Sequence, residues 1–437
     1  MNNPEFTNLE QAGALARKLD TADPLGGWRE RFHMPRDETG REQAYFCGNS
    51  LGLQPKATRS ALQDDLDMWA ERAVEGHFSG EHPWMPAHEF LRDPLAALVG
   101  AEPHEVVAMN SLTVNLHLMM VSFYRPAGTR RKILIEGGSF PSDRHAVWSQ
   151  IIHHGGDPEH DLIELDADPH TGLFDDRQVI DAIDEHADDL ALVLLPGVQY
   201  RTGQLFDIAA ITEAAHRNDI PIGWDLAHAA GNAALSLHEW NCDFAVWCHY
   251  KYCNSGPGAV AGCFVHERHG RTTDLKKLPR FAGWWGHDAE SRFRMGPEFH
   301  ATPGADAWQL SNPPILALTP VRVATTMFAE AGMDALRRKS EMLTGFLETM
   351  IQRFLAEHVK IVTPTDPRRR GCQLSLRISH PKRSGREVFD VLTDQGIVGD
   401  WREPDVIRVA PVPMYNRFDD TARLVSALLD ICGREKK

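Results

Sequence analysis

Short apolar runs alternate with amphipathic segments between about residues 106 and 265. The runs are VVAMN, KILIE, ALVLL, PIGWD, FAVWC and GCFVH, and helical patterns such as TVNLHLMMV, PSDRHAVWSQII and DIAAITEAAHR lie between several of them. Continuous apolar runs are typical of strands that are covered on both faces, and connecting helices favour parallel pairing with right-handed crossovers. The pattern therefore predicts an α/β domain built on a mostly parallel sheet.

The pattern changes after about residue 320. A long amphipathic segment, MDALRRKSEMLTGFLETMIQRFLAEH, is followed by strand patterns in KIVTP and CQLSLRIS, a helix in REVFDVLTDQ, a strand around VIRVA and a last helix. This order predicts a smaller α+β domain over residues 321–437, after a large domain over residues 46–320. We expect residues 1–45 to form a helical segment that packs with the small domain.

The N-terminal segment MNNPEFTNLEQAGALARKLD predicts a short helix. Thr7 and Glu10 have the spacing of a capping box, and apolar residues then recur at helical intervals. The segment has no apolar core of a signal peptide, and it mixes acids with bases, unlike a transit peptide. No apolar run in the chain approaches the roughly 18 residues that cross a bilayer. We therefore expect a cytoplasmic protein without a targeting or membrane segment.

Composition and charge narrow the classes of partner. The chain has 437 residues, of which 42% are hydrophobic and 24% charged, and these fractions are typical of a globular protein. A chain of this length is expected to form two or three domains, or one large and one small domain. A formal net charge of −15 disfavours nucleic acid or an anionic membrane as the main partner. The basic run at 368–370 predicts a solvated loop. Seven scattered cysteines without a C-x-x-C pair indicate reduced thiols.

Lys251 follows the apolar strand pattern FAVWC and lies between two tyrosines in WCHYKYCNSGPG. A lysine at a strand end most often reaches into water. A lysine that is desolvated by its neighbours instead becomes a nucleophile that forms Schiff bases with carbonyl groups. Pyridoxal 5′-phosphate (PLP) is the commonest cofactor that uses such a lysine, and it also needs an acid for its ring nitrogen and a site for its phosphate.

Both further requirements have candidates in the sequence. Asp225 ends the strand pattern PIGWD, where ligands gather in α/β folds, although it could simply cap the next helix. Asn110 or Ser111 could cap a helix that begins in NSLTVNLH, and its free N–H groups would bind an anion with help from the Thr113 hydroxyl. An ordinary cap remains the alternative reading there.

Two motifs do not indicate the sites they suggest. GPGAVAG is spaced unlike a dinucleotide-binding loop and is followed by a strand pattern, so we interpret it as a turn. HERH, at residues 266–269, lacks the i, i+4 histidine spacing of a zinc helix. We therefore expect no metal centre.

The stretch WDLAHAAGNAALSLHEWNCDFAVWCHYKY resembles the cofactor-lysine segment of kynureninases, which have the aspartate-aminotransferase-like fold known as fold type I. The resemblance extends to CGNSLGLQPK, GHFSGEHPW, NSLTVNLHLMM, FPSDRHA, GWWGHD, SNPPI and IRVAPVPMYN, and so covers about residues 46–418. It implies a PLP-dependent transferase-like large domain and a small C-terminal domain. It also implies PLP as cofactor and a homodimer with shared active sites.

The resemblance implies a role for each residue around the cofactor. Lys251 would form the Schiff base, Asp225 would pair with the pyridinium nitrogen, Phe140 would stack on the ring, and Tyr250 would help to hold the phosphate. Tyr250 is also a candidate proton relay. The other implied contacts are Leu112, Thr113, Pro141, Ser142, Asp143 and His228, with Trp284 and Asn312 supplied by the second subunit.

The resemblance also implies a substrate and a reaction. The reaction is hydrolytic cleavage of the Cβ–Cγ bond of L-kynurenine or 3-hydroxy-L-kynurenine, which gives anthranilate or 3-hydroxyanthranilate and L-alanine. Arg408 would clamp the α-carboxylate. Ser50, His77, Ser311 and Asn312 would line the aryl pocket. Their polar groups favour the 3-hydroxy substrate, whose ring hydroxyl can pair with one of them, and hence a role in the route toward NAD.

One departure and two alternatives qualify this interpretation. Pro196 stands where the family pattern leads us to expect a serine or threonine near the cofactor, so one side-chain donor is missing. Another fold type I enzyme, a desulfurase or aminotransferase, would keep Lys251 and Asp225 but has no need for GHFSGEHPW or SNPPI. A structural or binding protein without cofactor on the same fold would have no reason to keep Lys251, Asp225, Phe140 and Arg408 together.

Overall fold

A computed structural model describes residues 6–433 of the chain. The helices are α1 (Leu9–Ala22), α2 (Ala57–Arg72), α3 (Arg92–Val99), α4 (Leu112–Phe123), α5 (Pro141–His153), α6 (Pro158–Asp161), α7 (Asp176–Glu185), α8 (Ile208–Arg217), α9 (Glu267–Gly270), α10 (Ile315–Ala331), α11 (Met333–Phe354), α12 (Gly385–Asp394) and α13 (Phe418–Cys432). The strands are β1 (Ala44–Tyr45), β2 (Val106–Ala108), β3 (Lys132–Glu136), β4 (Leu162–Leu165), β5 (Leu190–Pro196), β6 (Ile222–Asp225), β7 (Phe244–Trp247), β8 (Gly262–Val265), β9 (Val359–Ile361), β10 (Leu374–Ile378), β11 (Ile397–Val398), β12 (Asp400–Arg402) and β13 (Val406–Val409).

A seven-stranded sheet forms the centre of the large domain. Its strand order is β2-β8-β7-β6-β5-β3-β4, and only β8 runs antiparallel to its neighbours. The predicted α/β architecture with a mostly parallel sheet is confirmed. The edge strand β4 was not predicted, because LIEL is short, partly exposed and interrupted by a glutamate.

Both faces of this sheet are buried, as the continuous apolar runs predicted. Leu134, Val193 and Trp224 pack into a core on one face, whereas their neighbours Ile133 and Leu192 pack into a core on the other. Alternate residues of a strand point to opposite faces, so each central strand must be apolar throughout. Polar side chains can then appear only where the strands end.

The small domain has an antiparallel sheet with the order β12-β13-β10-β9. Helices α1, α11 and α13 share its apolar core. Asp20, near the end of α1, accepts hydrogen bonds from the backbone N–H groups of Phe418 and Asp419 at 2.7 and 3.0 Å. These contacts join the N-terminal segment to the first turn of α13.

The proposed domain limits at residues 45 and 320 remain a prediction. Helix α10 continues through Pro320, and Leu318, Val321 and Phe328 on this helix belong to the core of the large domain. The first small-domain core residue on the following helix is Leu343. The change of core therefore falls within α11.

Two local predictions were wrong. The N-cap of α1 is Asn8, whose side chain accepts from the N–H of Gln11, whereas Thr7 binds the Gln11 side chain instead of capping the helix with Glu10. The run at 368–370 is not a uniformly solvated loop. Arg370 is buried and lies 2.8 Å from Glu348 of α11, because a buried carboxylate there needs a cation.

Other features agree with the sequence. Residues 256–261 form a turn before β8, as predicted for GPGAVAG. All seven cysteines are free thiols. Among residues 6–433, no helix is both long enough and apolar enough to cross a bilayer.

Gly52 approaches the backbone around Lys251 closely. Its N–H donates to the carbonyl oxygen of Tyr250 at 2.8 Å. A Cβ at this position would overlap the carbonyl oxygen of Lys251 and the side chain of Asn254. Gly52, the second glycine of CGNSLGLQPK, therefore allows the segment before α2 to pack against the turn that carries Lys251.

We expect Gly52→Ala to reduce the free energy of unfolding by about 1–3 kcal/mol, because the backbone that carries Lys251 would have to shift. Gly345→Ala is the matched control, since this glycine lies in α11 and a Cβ there meets nothing within 4 Å. That control should stabilise the protein by about 0.5–1 kcal/mol. Thermal unfolding of both variants is the measurement, and an equal effect of the two substitutions would contradict the packing argument.

Candidate active site

A cavity lies at the carboxyl ends of β3, β5 and β6, where α/β folds bind ligands. The register of the sheet places Pro196 at the end of β5 directly beside Asp225 at the end of β6. The residues that line the cavity are Leu112, Thr113, Glu136, Phe140, Ser142, Asp143, Pro196, Val198, Tyr200, Asp225, Ala227, His228, Tyr250 and Lys251. Nine of the residues predicted to contact the cofactor are among them, and Pro141 precedes Ser142 in the first turn of α5.

Lys251 is half-buried in this cavity and faces an imidazole. Its Nζ lies 3.1 Å from Nε2 of His228. Burial lowers the pKa of His228 well below its usual value, and the charges of Lys251 and Arg408 lower it further. The imidazole is therefore neutral at neutral pH, so Nε2 can accept a hydrogen bond from the lysine. Nδ1 of His228 has no partner among the described residues.

Two carboxyl groups form the base of the cavity. Asp225 is buried and accepts the N–H of Ala227 at 2.7 Å. Asp143 is also buried, and burial together with the Asp225 charge raises the pKa of Asp143 well above its usual value. This environment favours the protonated form of Asp143.

Two helix N-termini open toward one side of the cavity. Ser111 occupies the N-cap position of α4 and Phe140 that of α5, and neither side chain makes a capping hydrogen bond. Asn110, the other predicted cap, instead donates to the Asn115 side chain at 2.9 Å. The hydroxyl groups of Thr113 and Ser142 lie 2.8 Å apart. Free N–H groups with adjacent hydroxyls are the donors that a phosphate requires.

Aromatic rings enclose the lysine. Nζ of Lys251 lies 5.7 Å from the ring centre of Phe140 and 5.9 Å from that of Tyr250. The ring of Tyr200 packs edge-on against Phe140 at 5.4 Å. Burial raises the pKa of Tyr250 above its usual value, so its phenol stays protonated at neutral pH.

Arg408 is fully buried behind Tyr200. Its Nη1 donates to the carbonyl oxygen of Tyr200 at 2.7 Å, and its Nε donates to Asp400 at 2.9 Å. Arg408 does not line the cavity itself, but its charge acts on His228. The predicted carboxylate clamp therefore lies behind the loop that carries Tyr200.

Besides Pro141 and Arg408, five predicted residues do not line the Lys251 cavity of this single chain. They are Ser50, His77, Trp284, Ser311 and Asn312. Trp284 is 44% exposed, and both Ser311 and Asn312 are exposed. His77 is partly buried beside Trp84, with its Nδ1 3.0 Å from the carbonyl oxygen of Val74. Their roles as aryl-pocket or partner-supplied residues remain predictions.

Sequence reasoning missed Glu136, Val198, Tyr200 and Ala227 among the lining residues. Glu136 ends the buried strand β3, and burial and the Asp225 charge raise its pKa to about 8. A glutamate that closes the run KILIE was the available signal, since a carboxyl group is rarely buried without a reason. Tyr200 follows the strand end at Pro196, which was noted only for its missing hydroxyl.

The described residues contain one grouping of metal-binding side chains, Glu105, His238 and His266. Glu105 already accepts the N–H groups of Glu102 and Glu267 and lies 3.0 Å from Nδ1 of His238. His266 accepts the N–H of Arg268. These hydrogen bonds satisfy the group without an ion, and the expected lack of a metal centre stays a prediction.

The cavity fits PLP residue by residue. It provides an amino group, an acid pair, a flat ring and a set of donors for an anion, as that cofactor requires. Nδ1 of His228 and Oδ1 of Asp143 are buried polar atoms without a partner in the described chain. Buried polar atoms are normally paired, so these two atoms are consistent with a polar group bound in the cavity.

Comparison with known sequences identifies relatives over nearly the whole chain. The family model "Kynureninase C-terminal domain" matches residues 336–428, and the model "DegT/DnrJ/EryC1/StrS aminotransferase family" matches residues 86–237. The chain is 56% identical to kynureninase of Xanthomonas euvesicatoria pv. vesicatoria over 412 residues, 94% of this chain and 96% of the relative. Kynureninase of Xanthomonas campestris pv. campestris (strain B100) is 56% identical over 410 residues, with the same shares covered.

Comparison with solved structures supports the fold. A mutant of C-DES with glycine covalently linked to its PLP cofactor has a TM-score of 0.75, with 17% identity over 92% of this chain and 99% of that one. The cysteine desulfurase CsdA of Escherichia coli has a TM-score of 0.72, with 16% identity over 93% of this chain and 99% of that one. At such low identity these proteins establish the fold alone.

The predicted fold type I architecture is confirmed by these neighbours. The predicted cofactor, PLP, is confirmed by the relatives together with the neighbours. The sequence relatives are more than half identical over 94% of this chain, whereas the structural neighbours cover a similar share at 16–17% identity. The chain belongs to the kynureninase family.

Proposed function

We propose that the protein is a kynureninase that hydrolyses the Cβ–Cγ bond of L-kynurenine, 3-hydroxy-L-kynurenine or both, and releases L-alanine with anthranilate or 3-hydroxyanthranilate. The observation that carries the proposal is a cavity in which Lys251 lies 3.1 Å from His228 and which Asp225 and Asp143 also line, in a chain of this family. The residue roles below are part of the proposal.

PLP, when bound, withdraws electrons from the α-carbon of an amino acid that is attached to it. Asp225 would hold the proton on its ring nitrogen, since an ionised carboxylate favours a protonated partner. Asp143 would remain protonated beside Asp225 and leave the pair with a single negative charge. One negative charge on the pair would balance one protonated ring nitrogen.

Lys251 would move the α-proton once the substrate amine has replaced it on the cofactor. His228 is neutral and its Nε2 lies at hydrogen-bond distance from Nζ of Lys251. It would therefore orient the amino group without placing a second positive charge beside it. Tyr250 keeps its phenolic proton and could deliver it to a developing anion near the lysine. Arg408 would bind the α-carboxylate and so fix which end of the substrate faces the lysine.

The two alternative functions have less support. A desulfurase or aminotransferase would use the same lysine and acid, but the relatives at 56% identity are kynureninases. A binding protein without cofactor would not need an acid pair beneath a lysine. Purified protein of that kind would also lack the colour of bound PLP.

We expect purified protein to convert kynurenine to an anthranilate and one equivalent of L-alanine, measured by chromatography of both products. Asp225→Asn should lower turnover by orders of magnitude while retaining much of the cofactor, because a neutral amide cannot hold the ring nitrogen protonated. Asp166→Asn, at an acid outside the cavity lining, is the control and should behave as wild type. Pyruvate, sulfide or keto acid as the main product would instead support one of the alternatives.

The preferred substrate is the finer part of the proposal. His77, Ser311 and Asn312 carry polar groups that would surround an aryl ring if a second subunit completes the pocket. Around plain kynurenine those groups would lack partners, whereas a 3-hydroxyl could pair with one of them. We therefore propose a preference for 3-hydroxykynurenine, and with it a place in NAD synthesis more than in anthranilate catabolism.

The ratio of kcat/KM for 3-hydroxykynurenine over kynurenine should be about 10- to 100-fold, since an unpaired buried polar group costs about 1–3 kcal/mol. A His77→Trp, Asn312→Thr double variant should bring the ratio toward one. Steady-state kinetics with both substrates give the answer. An equal or higher value for plain kynurenine in the wild type would refute the preference, and an unchanged ratio in the double variant would show that other residues set it.

A homodimer with shared active sites is the second finer proposal. Trp284, Phe293 and Met295 are 44, 56 and 77% exposed, and Trp69 and Phe78 are also largely exposed. Exposed aromatic side chains in such numbers are typical of surfaces that bind another subunit. The exposed positions of Trp284 and Asn312 are those expected of residues that complete a partner's site.

We also propose that the protein is located in the cytoplasm.

Mixing two inactive variants tests the shared site. Lys251→Ala lacks the lysine, and a Trp284→Ala, Asn312→Ala double variant lacks the residues for the partner's site. Random exchange would make half of the dimers hybrid, each with one complete site, so roughly a quarter of wild-type activity should return. Labelled chains verify the exchange. No activity in verified hybrids, or a fully active monomer in sedimentation, would exclude shared sites.

A further inference from the structure

Arg408 is held by a carboxylate that the sequence analysis did not single out. Asp400 on β12 stands opposite Arg408 on β13 in the register of the antiparallel pair. Oδ1 of Asp400 lies 2.9 Å from Nε and 2.7 Å from Nη2 of Arg408. Arg408 is fully buried and Asp400 is 10% exposed, so the contact is shielded from solvent.

The contacts of Arg408 occupy only part of its guanidinium group. An arginine has five N–H donors in a fixed plane. Asp400 takes the Nε–H, and the carbonyl oxygen of Tyr200 takes one N–H of Nη1. Nη2 lies 2.7 Å from Oδ1 of Asp400 but makes no hydrogen bond, so both terminal nitrogens keep at least one N–H without a hydrogen-bond partner among the described residues. Two such donors are what a carboxylate takes in a bidentate pair.

A second arginine keeps this arrangement positive. Arg402 lies on the same strand as Asp400, with its Nε 3.0 Å from Oδ1 and its Nη2 3.1 Å from Oδ2 of that carboxylate. Arg402 and Arg408 carry two positive charges and Asp400 one negative charge, which leaves one positive charge. Without Arg402, the Asp400–Arg408 pair would be neutral and would attract a carboxylate less strongly.

We propose that Asp400 is a positioning residue that fixes the plane of Arg408, so that unpaired N–H groups on its two terminal nitrogens bind an amino-acid carboxylate, and that Arg402 preserves the positive charge of the site. The inference rests on the proposed role of Arg408 but not on cleavage of kynurenine, because any α-amino acid that binds the cofactor would use the same donors. The carbonyl oxygen of Tyr200 fixes the other side of the plane, and Gln373 holds that oxygen through a hydrogen bond of 3.1 Å.

The test compares L-alanine with L-alaninamide, which lacks the carboxylate charge. The affinity of each for the holoenzyme is measured from the change in absorbance of the bound cofactor, without any turnover. Asp400→Ala should weaken L-alanine about 10- to 100-fold, the loss expected when a charge-assisted pair is misaligned, and change L-alaninamide by less than about twofold. Asp400→Leu replaces it if the alanine variant does not fold.

Two further variants separate position from charge. Asp400→Asn keeps an oxygen that accepts from Nε and removes a negative charge, so it should bind L-alanine at least as tightly as the wild type. Arg402→Gln keeps Asp400 but neutralises the site, so it should bind L-alanine several-fold more weakly. Asp405→Ala is the matched control, because Asp405 also pairs with two arginines, Arg201 and Arg377, and is 46% exposed. It should leave both affinities unchanged.

Each contrary result overturns the proposal. If Asp400→Ala binds L-alanine as tightly as the wild type or more tightly, Asp400 only neutralises charge. If L-alanine and L-alaninamide weaken equally, the substitution damages the site as a whole. A protein that leaves both kynurenines intact, yet shows the expected alanine affinities, would contradict the proposed function and retain this inference.

Discussion

The site depends on the balance of buried charge at one edge of the central sheet. Asp225, Asp143 and Glu136 place three carboxyl groups there, and Lys251, Arg408 and Arg402 act on the same region. Isolated charges would be too costly to bury, so neighbouring groups must share protons or pair with one another. Burial raises the pKa values of Asp143 and Glu136 and lowers the pKa of His228, so that the imidazole is neutral. The arrangement suits a bound group that carries its own charges, such as PLP.

The sheet explains why these groups meet. Its central strands are apolar on both faces, and parallel strands end at the same edge, so polar side chains at their carboxyl ends gather there. The small domain contributes Arg408. The antiparallel pairing of β12 with β13 sets Arg408 opposite Asp400, and Arg408 reaches the large domain by donating to the carbonyl oxygen of Tyr200 in the loop after β5. Under the proposed roles, residues of one sheet would hold the cofactor and residues of the other would hold the carboxylate.

Periodicity was sufficient to predict the sheet, apart from β4, and the small-domain elements, apart from the short strands β11 and β12. Strand β4 was not predicted, because an edge strand need not be apolar along its whole length. Asp225 could be found because it ends a buried strand, and Lys251 because it follows one after a few residues, so that both charges interrupt an apolar pattern. Asp400 could not be found in this way, since DWR is a short polar strand and its importance lies only in its register with Arg408. The buried state of Arg370 likewise depends on a distant glutamate in α11.

The central claim is that Lys251 carries the cofactor, and borohydride reduction of the holoenzyme followed by peptide mapping tests it most directly. Lys339 provides an internal control, because it is also buried but is engaged by Asp23 at 2.7 Å. The account predicts that the reduced cofactor is attached to Lys251 alone and that Lys251→Ala yields no labelled peptide and no turnover. A label on Lys339 or any other lysine, together with full activity of Lys251→Ala, would contradict it.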